Sequence, residues 1–147
     1  MGLFTAFDIN ASGLTAQRYR MDIISENVAN ANTTRTKDGT PYVRKVVTFE
    51  EKGKQTPFSN VLTSEIDNFC GKGVKVSGVY EDKVTEMNMV YDPANPDADE
   101  NGYVMYPNVN IITEMTNLID ASRSFEANAT AFNASKSIAL KGLELGK

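Results

Sequence analysis

Histidine is absent from the 147 residues, and cysteine occurs once, at Cys70. The first absence removes the usual imidazole base of acid–base and nucleophilic catalysis, and with it the commonest metal ligand. A lone cysteine allows no intrachain disulfide, and between Phe69 and Gly71 it reads as a small packing residue, not a reactive thiol. No apolar run approaches the ~20 residues of a membrane span, so no membrane insertion is expected. The opening stretch, MGLFTAFDINASG, has no basic segment followed by a long apolar core, and no cleaved signal peptide is expected there. Positive charge is in deficit: 15 Lys and Arg stand against 19 Asp and Glu, a net charge of −4. Arg18, Arg20, Arg35, Arg44 and Lys45 form no stripe interleaved with aromatics, which excludes the usual footprint of nucleic-acid binding. No G-x-S-x-G elbow occurs, and Gly71-Lys72-Gly73 lacks the spacing and the following Ser or Thr of a phosphate-binding loop. Glu50 and Glu51 are adjacent on an expected strand and so point to opposite faces. Neither enzyme activity nor a cofactor is expected.

What the chain does have is helical periodicity at both ends. From Asn108 to Leu145, Ile111, Leu118, Phe125, Phe132 and Ala139 recur every seven residues. Met115, Ser122, Ala129, Lys136 and Leu143 fall at a second position, alternately four and three residues away, with Ile112 and Ile119 on one shoulder. This is the seam of a helix that packs along another helix. Asn108 or Asn110 is placed to cap its start, Glu114 suits the positive end of its dipole, and Lys141 and Gly142 mark its stop. Such a helix is roughly 55 Å long at 1.5 Å per residue, more than a small domain can cover.

The N-terminal stretch from about Thr5 to Ala31 is the matching candidate. Phe7, Leu14, Met21 and Val28 recur every seven, Ile24 and Ala31 hold the intervening position, and Asn10 and Gln17 weaken it. Asn30-Ala31-Asn32-Thr33-Thr34 should end this helix, because short polar side chains compete for backbone hydrogen bonds. The simplest arrangement pairs the two helices; the alternative has each cover a central sheet independently. The middle changes period. Tyr42–Glu50, Val74–Tyr80, Met87–Tyr91 and Tyr103–Tyr106 alternate as strands, whereas Glu51–Phe69 has no clear period and is expected to be irregular. The expected class is α+β: an N-terminal helix (1–34) and a C-terminal helix (108–147) paired as a coiled-coil layer, with a small β-rich central domain (35–107). The candidate assembly surface is the seam: Leu14, Met21, Ile24, Val28, Ile111, Met115, Leu118, Phe125, Ala129, Phe132 and Leu143.

One local pattern points elsewhere. Asp97, Asp99 and Asn101, with Gly102 at the sixth position, match the front of an EF-hand loop, and a calcium-responsive binding module is the alternative function. The bidentate Glu needed at the twelfth position is replaced by Asn108, and Pro93 and Pro96 deny the loop its incoming helix. A solvated Asp- and Asn-rich turn accounts for it, and no metal is expected.

Ala11-Ser12-Gly13-Leu14-Thr15-Ala16-Gln17, followed by Asn27-Val28-Ala29-Asn30-Ala31-Asn32-Thr33-Thr34, resembles the N-terminal signature of the bacterial flagellar rod and hook axial proteins. Gly39-Thr40-Pro41-Tyr42-Val43-Arg44, Tyr91-Asp92-Pro93 and Pro107-Asn108-Val109-Asn110 narrow the resemblance to a proximal rod member, with Asn95 a departure where His is common. The short middle argues against another rod or hook axial protein. The resemblance implies a structural subunit, assembled helically through its terminal helices into the drive shaft and export channel of the basal body. It implies export through the flagellar type III apparatus without a cleaved signal, and a periplasmic rod location. The implied partners are further copies of the chain, the rod proteins FlgB, FlgF and FlgG, and the adaptor FliE.

Overall fold

The computed structural model describes residues 3–52 and 72–144. Most of the stretch expected to be irregular, and Cys70 with it, lies outside the described residues, as do Leu145, Gly146 and Lys147. Among the described residues six elements follow in order: α1 (Leu3–Ala29), β1 (Lys45–Glu51), β2 (Val74–Glu81), β3 (Asn88–Tyr91), β4 (Tyr103–Tyr106) and α2 (Ile111–Glu144). The class is α+β, with a long helix toward each end and short strands between.

Local chemistry sets the helix ends. α1 stops where the expected polar run begins: Asn30 Nδ2 bonds the Glu26 carbonyl at 2.9 Å and Thr33 Oγ1 bonds Asn30 Oδ1 at 3.2 Å. Of the two asparagines placed to cap α2, Asn110 does so. Its Oδ1 accepts from the amides of Ile112 at 3.0 Å and Thr113 at 3.2 Å. Asn108 is used elsewhere.

Among the described residues the strands form two two-stranded sheets. In the first, bonds from Lys52 N to Gly73 O (2.9 Å) and from Asp82 N to Arg44 O (2.8 Å) mark an antiparallel β1–β2 pair. In the second, β3 and β4 are antiparallel, with Met89 opposite Met105, Val90 opposite Val104 and Tyr91 opposite Tyr103. Between β3 and β4 the chain reverses through Gly102 at φ +80°, where a side chain would also strike the Tyr91 ring. Thus Gly102 of the calcium-like pattern is explained by the hairpin itself.

The chain divides into two compact units. One comprises Met1–Tyr19, Phe49–Ser77 and Ala121–Lys147; the other, Arg20–Thr48 and Gly78–Asp120. In the first unit the Phe7 and Phe132 rings meet edge to face at 5.2 Å. Asn10 Nδ2 bonds Ser135 Oγ at 3.4 Å, and a Cβ on Gly13 would lie 3.1 Å from Asn128 Oδ1. Ser12 Oγ accepts from Val74 N at 3.1 Å and so ties α1 to the start of β2. In the second unit Ala31, Tyr42 and Val109 form the apolar cluster, and Val104 is fully buried.

Within α2 the inward positions are Glu114, Leu118, Ala121, Phe125, Asn128, Phe132, Ser135 and Ala139, at alternating spacings of four and three. The row headed by Leu118 is the expected one. The companion row differs in part: it runs through Glu114, Ala121, Asn128 and Ser135, three residues after each member of the first row, while of the Met115 row, four residues after, only Ser122 and Ala129 are half-buried. Met115 and Leu143 are exposed, as is Ile111 at the helix start.

Candidate functional site

The most ordered chemistry in the molecule is a buried polar hub in the second unit. α1 supplies Asn27 from its last two turns, α2 supplies Glu114 from its first, and the extended segment before β1 supplies Tyr42 and Arg44. Asn27 and Glu114 are each 1% exposed. Asn27 Oδ1 accepts from Tyr42 OH and from Lys45 N, both at 2.9 Å. Its Nδ2 donates to Lys45 O at 2.8 Å and to Glu114 Oε2 at 3.0 Å. Glu114 Oε1 accepts from Arg44 Nε at 3.0 Å and Nη2 at 2.8 Å. Every polar atom of the Asn27 amide and of the Glu114 carboxylate therefore has a partner, which a carboxylate needs if it is to stay in a water-poor site.

The hub extends outward through Arg44. Nη1 reaches Asp82 Oδ2 at 3.4 Å, and the Arg44 amide donates to Asn108 Oδ1 at 2.9 Å. Asn108 Nδ2 in turn donates to the carbonyls of Asp82 at 2.7 Å and Thr85 at 3.1 Å. Burial works against the Arg44 charge, but Glu114 and then Asp82 outweigh it and hold the guanidinium above its ordinary range. The Asp82 carboxyl sits below its usual range, chiefly because the backbone and hydroxyl of Thr85 bond it, with Val84 N and Arg44 adding to them. Burial, then the carboxylates of Glu26 and Glu114, push the Tyr42 phenol up to about 12. The arrangement has no open face for a substrate and no poised base. It fixes the departure of one chain segment from the end of α1 and the entry of another into α2.

The sequence assigned Glu114 only a dipole role and saw Arg44 only as an isolated charge. A signal was present: Asn27 and Glu114 lie in register with Gly13 and Arg20, and with Ala121, Asn128 and Ser135, at seven-residue intervals. A search for buried polar residues at seam spacing finds them, whereas a search for apolar residues passes them by.

The candidate assembly residues divide by exposure. Ile24 is buried, and Leu14, Met21, Val28, Leu118, Phe125, Ala129 and Phe132 are half-buried. Ile111, Met115 and Leu143 are exposed, the last at 70%. The acidic loop brings together no calcium site: Asp97 Oδ2 accepts from Thr34 Oγ1 at 2.8 Å, Arg35 lies 3.7 Å from Asp97 Oδ1, and Asp99 Oδ1 accepts from Glu100 N at 2.7 Å. Among the described residues no three acidic or sulfur side chains converge as metal ligands. No described helix is long and apolar enough to cross a membrane.

Comparison with known proteins agrees with a structural role for this scaffold. Residues 7–37 match the family described as flagella basal body rod protein, and residues 100–145 match the flagellar basal body rod FlgEFG protein C-terminal family. The two matches define a rod protein of the flagellar basal body. The basal-body rod protein FlgC of Bacillus subtilis is 46% identical over the full length of both chains. FlgC of Borreliella burgdorferi is 43% identical over 94% of this chain and 93% of its own, and FlgC of Salmonella typhimurium is 41% identical over the full length of both. The chain belongs to the FlgC family of flagellar basal-body rod proteins. It is a structural rod subunit and not an enzyme.

Proposed function

We propose that this subunit repeats helically to build the proximal rod, with residues 1–34 and 108–147 as the axial layer lining the export channel and 35–107 as an outer domain. The observation that carries this reading is the number of large apolar side chains that α2 leaves exposed. In the second unit Ile111, Ile112, Met115 and Ile119 are exposed; in the first, Ile138, Leu140 and Leu143 are. A subunit that stayed alone would gain by placing such side chains inside, and repeated large apolar side chains on a surface mark an interaction face. Helical contacts that do not close into a ring generate a tube. Further copies, the rod proteins FlgB, FlgF and FlgG, and the adaptor FliE are the partners this reading names. Passage through the flagellar export apparatus without a cleaved signal, to a periplasmic rod, completes it.

The test separates folding from assembly. Met115→Asp and Leu143→Asp should leave thermal unfolding of the purified subunit within about 0.5 kcal/mol of the parent, because both sites are exposed. The same variants should be missing from purified basal bodies and should abolish swimming. Normal incorporation of both variants overturns the exposed apolar side chains of α2 as the assembly surface.

A further inference from the structure

Asn101-Gly102 and Asp38-Gly39 are the chain's single Asn-Gly and single Asp-Gly pairs. In such a pair no side chain on the glycine obstructs attack of its backbone nitrogen on the preceding side-chain carbonyl carbon. The same pairs are favoured in turns because they tolerate positive φ, so the sequence by itself indicates only turns. The structure adds the state of the nucleophile. The Gly102 amide donates to the Asp99 carbonyl at 2.8 Å, and the Gly102 carbonyl accepts from Asp92 N at 3.0 Å. The Tyr91 ring and Pro93 crowd the glycine: a Cβ built on it would stand 2.9 Å from Tyr91 Cε2 and 3.3 Å from Pro93 Cβ. Asn101 itself is exposed. Gly39 is held by the same kind of bond, its amide donating to Thr36 O at 3.0 Å. Among the described residues nothing beyond its own neighbours lies within 4 Å of a Cβ built there.

We infer that Asn101 is a deamidation site governed by the β3–β4 hairpin, shielded while the hairpin is closed and reactive when it opens. The glycine amide must give up its proton before its nitrogen can attack. A proton held against the Asp99 carbonyl is not free to leave, and the Tyr91 ring keeps the turn from reshaping. With the hairpin open, water takes the proton from Gly102 N and the nitrogen bonds to Asn101 Cγ. The Cγ–Nδ2 bond breaks, and Nδ2 takes up a proton and departs as ammonia. Water then opens the cyclic succinimide. Cleavage between Cγ and the nitrogen leaves aspartate in an ordinary backbone. Cleavage between the main-chain carbonyl carbon of residue 101 and the nitrogen leaves isoaspartate, whose backbone runs through Cβ and Cγ. Neither route oxidises or reduces anything. Both products add a negative charge beside Asp99 and Glu100. Isoaspartate also lengthens the turn by a methylene carbon, which takes the Asp92–Gly102 and Asp99–Tyr103 bonds out of register.

The experiment holds the purified full chain in mildly alkaline buffer, with and without urea above the unfolding midpoint. Peptide mass spectrometry follows residue 101, and chromatography separates aspartate from isoaspartate. Conversion should be about tenfold or more slower in native buffer, because it waits for the hairpin to open. Tyr91→Ala removes the ring that crowds Gly102 and meets the Tyr103 ring at 5.3 Å. It should quicken native conversion at Asn101 by about two- to tenfold, the change that loss of an aromatic pair converts to, and leave the rate in urea as it was. Isomerisation at Asp38, where the same ring closure expels water in place of ammonia, is the internal control and should keep its native rate. Circular dichroism checks the fold, and Tyr103→Ala, which removes the other ring, repeats the test if the first variant is unfolded. Equal rates with and without urea overturn the shielding, and no conversion in urea overturns the site itself. If the folded variant converts Asn101 no faster, or quickens Asp38 in proportion, the hairpin is not what governs the site and the inference falls.

Discussion

At the scale of single residues, Glu114 governs the most. It is buried, bonded by two nitrogens of Arg44 and one of Asn27, and has no water to fall back on. Glu114→Ala leaves the guanidinium without its main partner and should cost about 3–5 kcal/mol of stability, read as a fall in the urea midpoint. Tyr42 gives the hub an alkaline limit. Its phenol titrates near 10 when unfolded and at about 12 when folded, so the native state keeps the proton longer. The stabilisation is complete below pH 10 and is lost as the pH rises toward 12, a loss of order 2 kcal/mol. Tyr42→Phe should flatten that limb of the unfolding-versus-pH curve, at a cost of about 1 kcal/mol for the lost bond to Asn27. A variant that keeps the alkaline fall would place its origin elsewhere.

At the scale of elements, the inner seam of the first unit is more polar than a helix pair needs. Asn10, Asn128 and Ser135 line it, and Gln17 Oε1 is buried with no hydrogen-bond partner among the described residues. Replacing that orphan acceptor with carbon removes an unpaid desolvation, so Gln17→Leu should raise the unfolding free energy by about 1–2 kcal/mol. Leu118→Asp or Phe125→Asp should do the reverse, each bringing a carboxylate into a half-buried row where nothing bonds it. The inward rows of α2 mark how far the sequence was legible. Leu118, Phe125 and Phe132 announced one row because they are large and apolar. The other row contains Glu114, Ala121, Asn128 and Ser135, whose side chains are polar or small, so the apolar pattern pointed one residue along, to Met115 and Leu143. Strands were easier: alternation at Val74, Val76, Met89 and Tyr91 follows the pleat, and the turn at Gly102 needs a positive φ. The hub was hidden for a different reason. It joins position 27 to position 114, and no local spacing reports a partner that far along the chain.

At the scale of the whole molecule, polar side chains share the inward rows of α2 while Ile112, Met115, Ile119 and Leu143 stay exposed, an arrangement suited to a part that is finished only when built into something larger. The isolated subunit should therefore show rapid amide exchange through 136–144, where Ile138, Leu140 and Leu143 are exposed, and slow exchange there in intact rods. Equal protection in the two states would mean that α2 needs no neighbours to be stable.

The same hub sets a timetable. Asn27, Tyr42 and Arg44 emerge early from any process that delivers the chain N-terminus first, and Asp82 and Asn108 come later, yet the carboxylate that joins Arg44 to Asn27 arrives only at position 114. Until then the guanidinium has no reason to leave water, and Asn27 lacks one of its acceptors. The second unit can lock only when three quarters of the polypeptide has passed. On the export route proposed above, the second unit is thereby kept from locking by its own wiring until the last helix begins to appear.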